Sequence, residues 1–155
     1  MKKILLILLV TASFIALLGL LNKKLGFIET IETKRAKIGQ TSFFVELALT
    51  EEERQKGLSG RSTLEENTGM LFSFGQEDVF PSFWMKGMLI PIDIIWIDEW
   101  EVVKIHENIQ PEPEKSDGEL TKYYPDGPID LVIEVNAGFS GKNNIRVGDN
   151  VIIER

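Results

Sequence analysis

The strongest constraint on the fold lies in residues 90–97, IPIDIIWI, which close the apolar segment 80–98. In a β-strand, alternate side chains point to opposite faces, and both faces of this stretch are apolar except at Asp93. A strand with two apolar faces has to be covered on both sides, so we expect Asp93 to be buried. An unpaired buried carboxylate costs several kcal/mol, and Asp93 therefore needs a partner.

Three basic residues are the candidate partners of Asp93. Lys86 lies in the same apolar segment, and Arg54 and Arg61 begin and end the motif RQKGLSGR. One interpretation is a structural ion-pair network that holds a helix and its following turn against the sheet. The other is a cleft in which these three cations bind an anionic group of a ligand, while Trp84 supplies a stacking wall. Arginine matches carboxylates and phosphates through paired hydrogen bonds, and tryptophan is common at binding surfaces.

Residues 4–21, ILLILLVTASFIALLGLL, form an uncharged apolar run. Eighteen residues in a helix span about 27 Å, close to the roughly 30 Å hydrocarbon core of a bilayer. A signal peptide is the alternative, but the run ends LLNKK without a small-residue cleavage site. We therefore expect residues 1–24 to be a membrane anchor that leaves the domain on the extracytoplasmic side, or to release a secreted protein if they are cleaved. Residues 25–35 are then a tether, and residues 36–155 form a single β-rich domain.

Composition and charge argue against several classes of function. All 24 acidic residues and 13 of the 17 basic residues follow position 24. Binding to a phosphate backbone needs clustered basic residues, so we expect no nucleic-acid partner. The absence of cysteine excludes disulfides, thiolate catalysis and Cys-based metal sites.

His106, the only histidine, is predicted to be a surface residue, and the acids of residues 112–119 lack the spacing of an EF-hand. We therefore expect no metal site and no cofactor.

Alternating apolar residues and turn signals predict a series of short strands. AKIGQTSFFVELAL and PIDIIWIDEWEVVKIHENI are predicted hairpins, and GMLFSF, IDLVIEV and the end of RVGDNVIIE are predicted strands. TEEERQKGL predicts a helix, because Thr50 and Glu53 form a capping box and Gly57 is a stop signal. NAGFSGKNNI indicates a turn or one short helix. The expected fold is mainly β, a compact sandwich or barrel of six to eight short strands with one or two short helices, behind one N-terminal hydrophobic helix.

A long acidic loop is predicted at residues 107–128, which contain four prolines and two glycines. Loops of this length are usually either binding flaps or disordered segments. Both interpretations remain open on the sequence.

Four motifs of the predicted domain are distinctive: ERQKGLSGRSTLEENTGMLFSF, FWMKGMLIPIDIIWID, VVKI and GDNVII. Together they resemble the family catalogued as domain of unknown function 192, and the resemblance covers roughly residues 36–154. The resemblance implies a compact, mainly β domain, often behind a signal peptide or membrane anchor, and it implies no known activity. Ser59 and Gly87 depart from the family pattern, which leads us to expect Met and Asn there. The residues that match its signature are Arg54, Gly57, Leu58, Arg61, Gly69, Met70, Trp84, Lys86, Pro91 and Asp93.

The sequence predicts a membrane-tethered binding or accessory domain rather than an enzyme. The expected ligand is a glycan or a small anion, and the expected membrane contact runs through residues 4–21. Two alternatives remain open: a hydrolase that uses Asp93 with Lys86, and a protein-interaction module with an exposed apolar patch. No catalytic residue is assigned. The candidate ligand-binding residues are Arg54, Arg61, Trp84, Lys86 and Asp93.

Overall fold

A computed structural model describes residues 32–154 of the chain. The predicted hydrophobic helix at residues 4–21, and with it the anchor and signal-peptide interpretations of residues 1–24, lies outside these residues. Within the described part of the chain, no helix is long and apolar enough to span a membrane. The first strand begins at Thr33, inside the predicted tether, so regular structure starts before the predicted boundary at residue 36.

Seven strands and two short helices make up the described residues. The strands are β1 (Thr33–Ile38), β2 (Thr41–Ala48), β3 (Thr68–Ser73), β4 (Ile92–Asp98), β5 (Glu101–Ile109), β6 (Leu131–Asn136) and β7 (Val151–Ile153), and the helices are α1 (Glu51–Lys56) and α2 (Phe139–Lys142). All strands belong to one sheet, in the spatial order β5-β4-β6-β3-β2-β1-β7. Neighbouring strands are antiparallel except β2 and β3, which are parallel because α1 and the loop after it form a crossover connection.

The sheet curls into a half-barrel, because its two edge strands approach each other at one end. Glu101 at the start of β5 pairs with Asn150 just before β7, and the Val102 N–H donates to the Asp149 carbonyl over 2.9 Å. Strand β7 has only three residues, which limits this closure to one end. The mainly β class and the predicted numbers of strands and helices are confirmed. Of the two predicted architectures, the barrel is the closer one, because the strands form one continuous ladder rather than two stacked sheets.

The local signals of the sequence form the elements that they predict. The Glu53 N–H donates to the Thr50 hydroxyl over 3.2 Å, and the Thr50 N–H donates to the Glu53 carboxylate over 2.8 Å, which is the predicted capping box of α1. Glu99 and Trp100 form the turn between β4 and β5 with φ angles of 46° and 63°. Positive φ at both central residues is the signature of the type I′ hairpin turn.

Two hydrophobic clusters lie on opposite faces of the sheet. The interior cluster contains residues of all seven strands, with Ile95 and Ile97 supplied by β4 and Phe139 by α2. The outer cluster contains Ile94 and Trp96 of β4, and the loops before β3 and β4 cover it with Leu58, Met85 and Met88. Strand β4 is therefore buried on both faces, as its sequence predicts. The outer cluster is the part of the core that supports the candidate site.

Asp93 points to the interior face of β4 and is 0% exposed, so its predicted burial is confirmed. Its Oδ1 accepts hydrogen bonds from the N–H groups of Asn108 (2.8 Å) and Gly138 (3.0 Å). Its Oδ2 accepts a hydrogen bond from the N–H of Ser140 over 2.9 Å. These donors replace the hydrogen bonds that the carboxyl group loses when it leaves water. This one side chain thus joins β4 to β5 and to the start of α2.

The predicted pairing of Asp93 with Lys86, Arg54 or Arg61 is wrong. Each of these cations contacts other groups: Lys86 pairs with Asp117, Arg54 donates to backbone carbonyls, and Arg61 pairs with Glu46. Backbone N–H groups, rather than a charged side chain, compensate for the burial of the Asp93 carboxyl. These N–H groups come from distant parts of the chain, and the residue types at those positions do not indicate that they donate to Asp93.

Asp93 also compensates for two local irregularities. The register between β4 and β5 shifts opposite Asp93, where Asn108 has a φ of 53°, as expected for a β-bulge. Helix α2 begins after Gly138, which has a φ of 79° and no side chain to cap the first turn. The Asp93 carboxylate supplies that cap from a neighbouring strand.

Replacement of Asp93 by alanine should destabilise the domain strongly. The Asp93→Ala change leaves three backbone N–H groups without their acceptor, and a buried donor without a partner costs about 1–3 kcal/mol. We expect the free energy of unfolding, measured by urea denaturation, to fall by at least about 3 kcal/mol, the sum of three such costs at their lower limit. The matched control is Asp98→Ala in the same strand, where burial, and then the charges of neighbouring acids, raise the pKa of the Asp98 carboxyl. An Asp93→Ala loss no larger than that of the control would contradict this structural role.

Candidate functional site

Three of the five predicted site residues, Arg54, Trp84 and Lys86, line one pocket. The pocket lies on the outer face of the sheet, between helix α1 and the segment 81–88, and has a volume of about 230 Å³. Aromatic rings form much of its wall, and a carboxyl group from the sheet lies among them. Its lining also includes Glu51, Lys56, Phe72, Phe74, Phe83 and Glu134.

Arg54 is held at the pocket wall by its position in α1. Its Nη1 donates to the Ser73 carbonyl over 2.8 Å and also to the Leu49 carbonyl, so it joins the helix to the ends of β2 and β3. The guanidinium carbon lies 5.4 Å from the centre of the Phe74 ring. This stacking and the two hydrogen bonds fix the guanidinium plane, and its Nε and Nη2 groups make no hydrogen bond within the described part of the chain.

Trp84 and Lys86 are positioned by contacts with the acidic loop. Phe83 and Tyr123 pair through two backbone hydrogen bonds of 3.0 and 2.9 Å. The Lys122 ammonium lies 3.8 Å from the centre of the Trp84 ring, and Lys86 forms an exposed ion pair with Asp117 of the same loop. The predicted loop begins only after Ile109, because β5 extends to that residue, and residues 110–128 pack against the pocket segment through these specific contacts.

Arg61 and Asp93 lie away from this pocket. Arg61 forms two hydrogen bonds to the carboxylate of Glu46 on β2, one of them 2.5 Å long, and both side chains are partly buried. This pair holds the turn after α1 against the sheet, as the structural ion-pair interpretation predicts for Arg61. Asp93 points to the interior, whereas the pocket opens on the outer face. The five predicted residues thus do not form one cluster, and Asp93 does not meet Lys86.

Glu134 on β6 is the important pocket residue that the sequence reasoning missed. It is 5% exposed, and its Oε2 has no hydrogen-bond partner among the described residues. Its partners across the neighbouring strands are Met70 and Ile94, both apolar. Burial raises the pKa of the Glu134 carboxyl to about 8, and no neighbouring charge contributes to the shift. At neutral pH, the group is therefore mostly a protonated acid.

The sequence signal for Glu134 is the same as the one for Asp93. Glu134 interrupts the apolar stretch LVIEV just as Asp93 interrupts IPIDIIWI, and an acid in such a stretch predicts burial. The two acids face opposite sides of the sheet, because Asp93 is opposite Val135 in the register rather than opposite Glu134. Asp93 has three donors, whereas Glu134 faces the pocket.

The two departures from the family signature, Ser59 and Gly87, lie next to each other. Gly87 has a φ of 65°, and a Cβ on it would stand 2.3 Å from the Ser59 Oγ. The Gly60 N–H donates to the Gly87 carbonyl over 2.8 Å, which joins the two loops. The Ser59 side chain thus occupies the space into which a side chain at position 87 would extend.

His106 is half-buried rather than a surface residue, which corrects the prediction. Its Nδ1 accepts a hydrogen bond from the Trp96 Nε1–H over 2.8 Å. Burial, and then the charge of Lys104, lower the pKa of His106. Across residues 32–154, no group of three or more His, Asp or Glu side chains is arranged to hold a metal ion.

Comparisons with known proteins agree with the motifs and the fold. The model of the DUF192 family, described as Uncharacterized ACR, matches residues 32–153. A crystal structure of a proposed transcription regulator from Sinorhizobium meliloti 1021 is 27% identical with a TM-score of 0.72, over 79% of this chain and 95% of that one. A protein of unknown function from Novosphingobium aromaticivorans is 29% identical with a TM-score of 0.72, over 81% of this chain and 88% of that one. No curated protein matches the chain.

Burial of Glu134 should make the domain less stable as the pH rises from about 5 to 8. The pKa of this carboxyl is about 8 in the folded state and near its ordinary value in the unfolded state. Protonation of Glu134 in the folded state therefore contributes fully to the free energy of unfolding at low pH. This contribution falls by about 1.4 kcal/mol per pH unit and is lost as the pH rises through 8.

The variant Glu134→Gln measures this effect directly. Urea denaturation of both proteins at several pH values gives the difference between their free energies of unfolding, in which His106 and the other titrating groups cancel. We expect the variant to gain stability relative to the parent with each step towards pH 8, whereas an exposed control, Glu66→Gln, shows no such trend above pH 5. A constant difference between parent and Glu134→Gln would show that the Glu134 carboxyl is not buried as described.

Proposed function

This chain belongs to the DUF192 family, a family of unknown function, and we propose that its β-rich domain binds a small ligand that carries an anionic group. The observation that carries the proposal is the pocket on the outer face. It combines aromatic walls and basic residues with the buried carboxyl group of Glu134, whose Oε2 has no hydrogen-bond partner within residues 32–154. Concave sites of mainly apolar lining with a few convergent polar groups and a perturbed pKa are the usual form of ligand sites.

The charges around the pocket favour an anion. Three cations, Arg54, Lys56 and Lys86, line it against one carboxylate, Glu51, and the neutral acid Glu134. This excess of positive charge stands out in a chain whose formal net charge is −7. A local positive potential in a concave, partly apolar site attracts anionic ligands.

Between the two ligand classes that the sequence suggests, the pocket supports a small anion better than a glycan. Its volume of about 230 Å³ exceeds the roughly 150 Å³ of an engineered cavity that binds benzene, so it suits a ligand of about one ring. The Lys122 ammonium lies over the Trp84 ring, so one face of the predicted stacking wall is already in use.

The alternatives have weaker support. A hydrolase that uses Asp93 with Lys86 lacks the required geometry, because Asp93 is buried on the other face of the sheet. An interaction module would use exposed apolar side chains such as Phe80, Leu89 and Trp100, and single exposed apolar residues are common on surfaces. Transcription regulation, the description of the Sinorhizobium protein, would require DNA contact or an intermediary, and the acidic charge of this chain disfavours direct contact.

Ligand binding should change the fluorescence of Trp84 and weaken with salt. We expect a panel of small aromatic and aliphatic carboxylates and phosphates to include members with a saturable signal, which Trp84→Phe removes although Trp96 and Trp100 remain. Lys86→Met should weaken binding about two- to fivefold, the range for an exposed ion pair. The control is Lys142→Met, which removes a lysine from a comparable exposed pair with Glu66 outside the pocket.

A flat response of Trp84 across the panel, with calorimetry also silent, would contradict the binding proposal. Equal effects of Lys86→Met and Lys142→Met would show that the ligand binds elsewhere. Turnover of a panel member would indicate an enzyme instead.

We propose further that residues 1–24 tether this domain to a membrane on its extracytoplasmic side, which rests on the apolar run 4–21 alone. The full-length protein should sediment with membranes and resist carbonate extraction, and protease added from outside the cytoplasm should digest the domain. A soluble product that begins near residues 22–30 would show that the run is a cleaved signal peptide.

A further inference from the structure

We propose that the pocket selects small organic anions that carry a hydrogen-bond acceptor at the end opposite their charge, and that Glu134 donates its O–H to this acceptor. This inference rests on the proposed binding function and specifies its ligand class. The ligand then makes one polar contact with Glu134 in the inner part of the pocket and one with the cations that line it.

The inner contact follows from the unpartnered carboxyl group. Oε2 of Glu134 is buried without a hydrogen bond among the described residues, although the carboxyl lines the pocket. A buried polar group without a partner costs about 1–3 kcal/mol. A ligand atom that hydrogen-bonds to this group recovers part of that cost, and an apolar ligand of the same shape does not.

The direction of this hydrogen bond follows from the protonation state of Glu134. Its cross-strand neighbours, Met70 and Ile94, are apolar. Burial is the cause of its raised pKa. A protonated carboxyl has an O–H to donate, and the matching ligand group is an acceptor such as a carbonyl oxygen. The charged groups that share the pocket are Glu51, Arg54, Lys56 and Lys86.

The basic residues of the pocket indicate that the charged group of the ligand is an anion. An ammonium ligand in an aromatic site uses the faces of the rings, but here Arg54 lies over Phe74 and Lys122 lies over Trp84. A cationic ligand would meet these like charges. An anionic group instead finds the free donors of Arg54 and the ammonium of Lys86, whose pairing with Asp117 is exposed and therefore weak.

Two probes of matched shape test this assignment. 4-Acetylbenzoate has a carboxylate, one ring and a carbonyl acceptor at the far end, and 4-isopropylbenzoate has the same shape without the acceptor. By calorimetry at pH 6.5, we expect the acetyl compound to bind about two- to tenfold tighter, the range for one neutral hydrogen bond. At pH 9, above the pKa of Glu134, we expect this preference to disappear, because the carboxylate has no O–H to donate.

Two variants test whether the preference for the acetyl compound depends on a hydrogen-bond donor at residue 134 or on the shape of the pocket. Glu134→Gln retains an N–H donor that does not titrate, so the preference for the acetyl compound should persist at both pH values. Glu134→Met retains the side-chain length without a donor, so both probes should bind equally at both pH values. Because these changes remove a buried acid, we expect both variants to fold, and the pH dependence of the parent protein tests the proposal without them.

The outcomes distinguish this inference from the binding function on which it rests. If both benzoates bind equally to the parent at pH 6.5, or if the preference survives at pH 9, the ligand assignment is overturned while the binding function stands. Tighter binding of 4-acetylbenzylamine than of 4-acetylbenzoate, increasing with pH, would show an ammonium site with an ionised Glu134. Absence of binding by every probe and by the anion panel would contradict the binding function itself.

Discussion

The carboxylate of Asp93 is the interaction on which the rest of the structure depends, because it joins three segments that are distant in the chain. It accepts hydrogen bonds from the N–H groups of Asn108, Gly138 and Ser140. These contacts fix the bulge in β5 and the first turn of α2, and α2 in turn places Phe139 in the interior cluster. Backbone donors, rather than a cation, allow an acid to interrupt such an apolar strand.

The burial of the central strands on both faces explains why the domain has an outer layer and a pocket. Apart from Glu134, strands β3, β4 and β6 are apolar on the side opposite the interior, and the loop after α1 and the segment 81–88 cover that side. Cover by loops is less complete than cover by a second sheet. The space that remains beside Phe72, Trp84 and Glu134 is the pocket. A buried acid in that space is costly for the fold, and this cost is consistent with a role in binding.

The sequence predicted much of the local structure because the signals were local. The capping box at Thr50 and Glu53, the turn at Glu99 and the alternation around Asp93 all depend on neighbouring residues. The partners of Asp93 could not be predicted, because backbone N–H groups are present at almost every position. The separation of Arg61 from the pocket depends on its pairing with Glu46, and this pairing depends on how β2 and the turn after α1 pack.

The candidate site was predicted in part. Arg54, Trp84 and Lys86 do line one pocket, and their presence in family motifs was the useful signal. Glu134 was recognisable in principle, since the argument applied to Asp93 also applies to it. The docking of the acidic loop was not predictable, because it depends on single contacts such as Lys122 with the Trp84 ring. Sequence patterns report periodicity and caps, whereas this site is formed by tertiary contacts between loops.

The central claim is that Glu134 is a protonated acid in an open pocket at neutral pH. The most direct measurement is the ¹³C chemical shift of its carboxyl carbon as a function of pH, in the ligand-free domain, with the signal assigned by its loss in Glu134→Gln. The structure predicts a titration midpoint at about pH 8. A midpoint near the ordinary glutamate value of about 4.3 would contradict the claim.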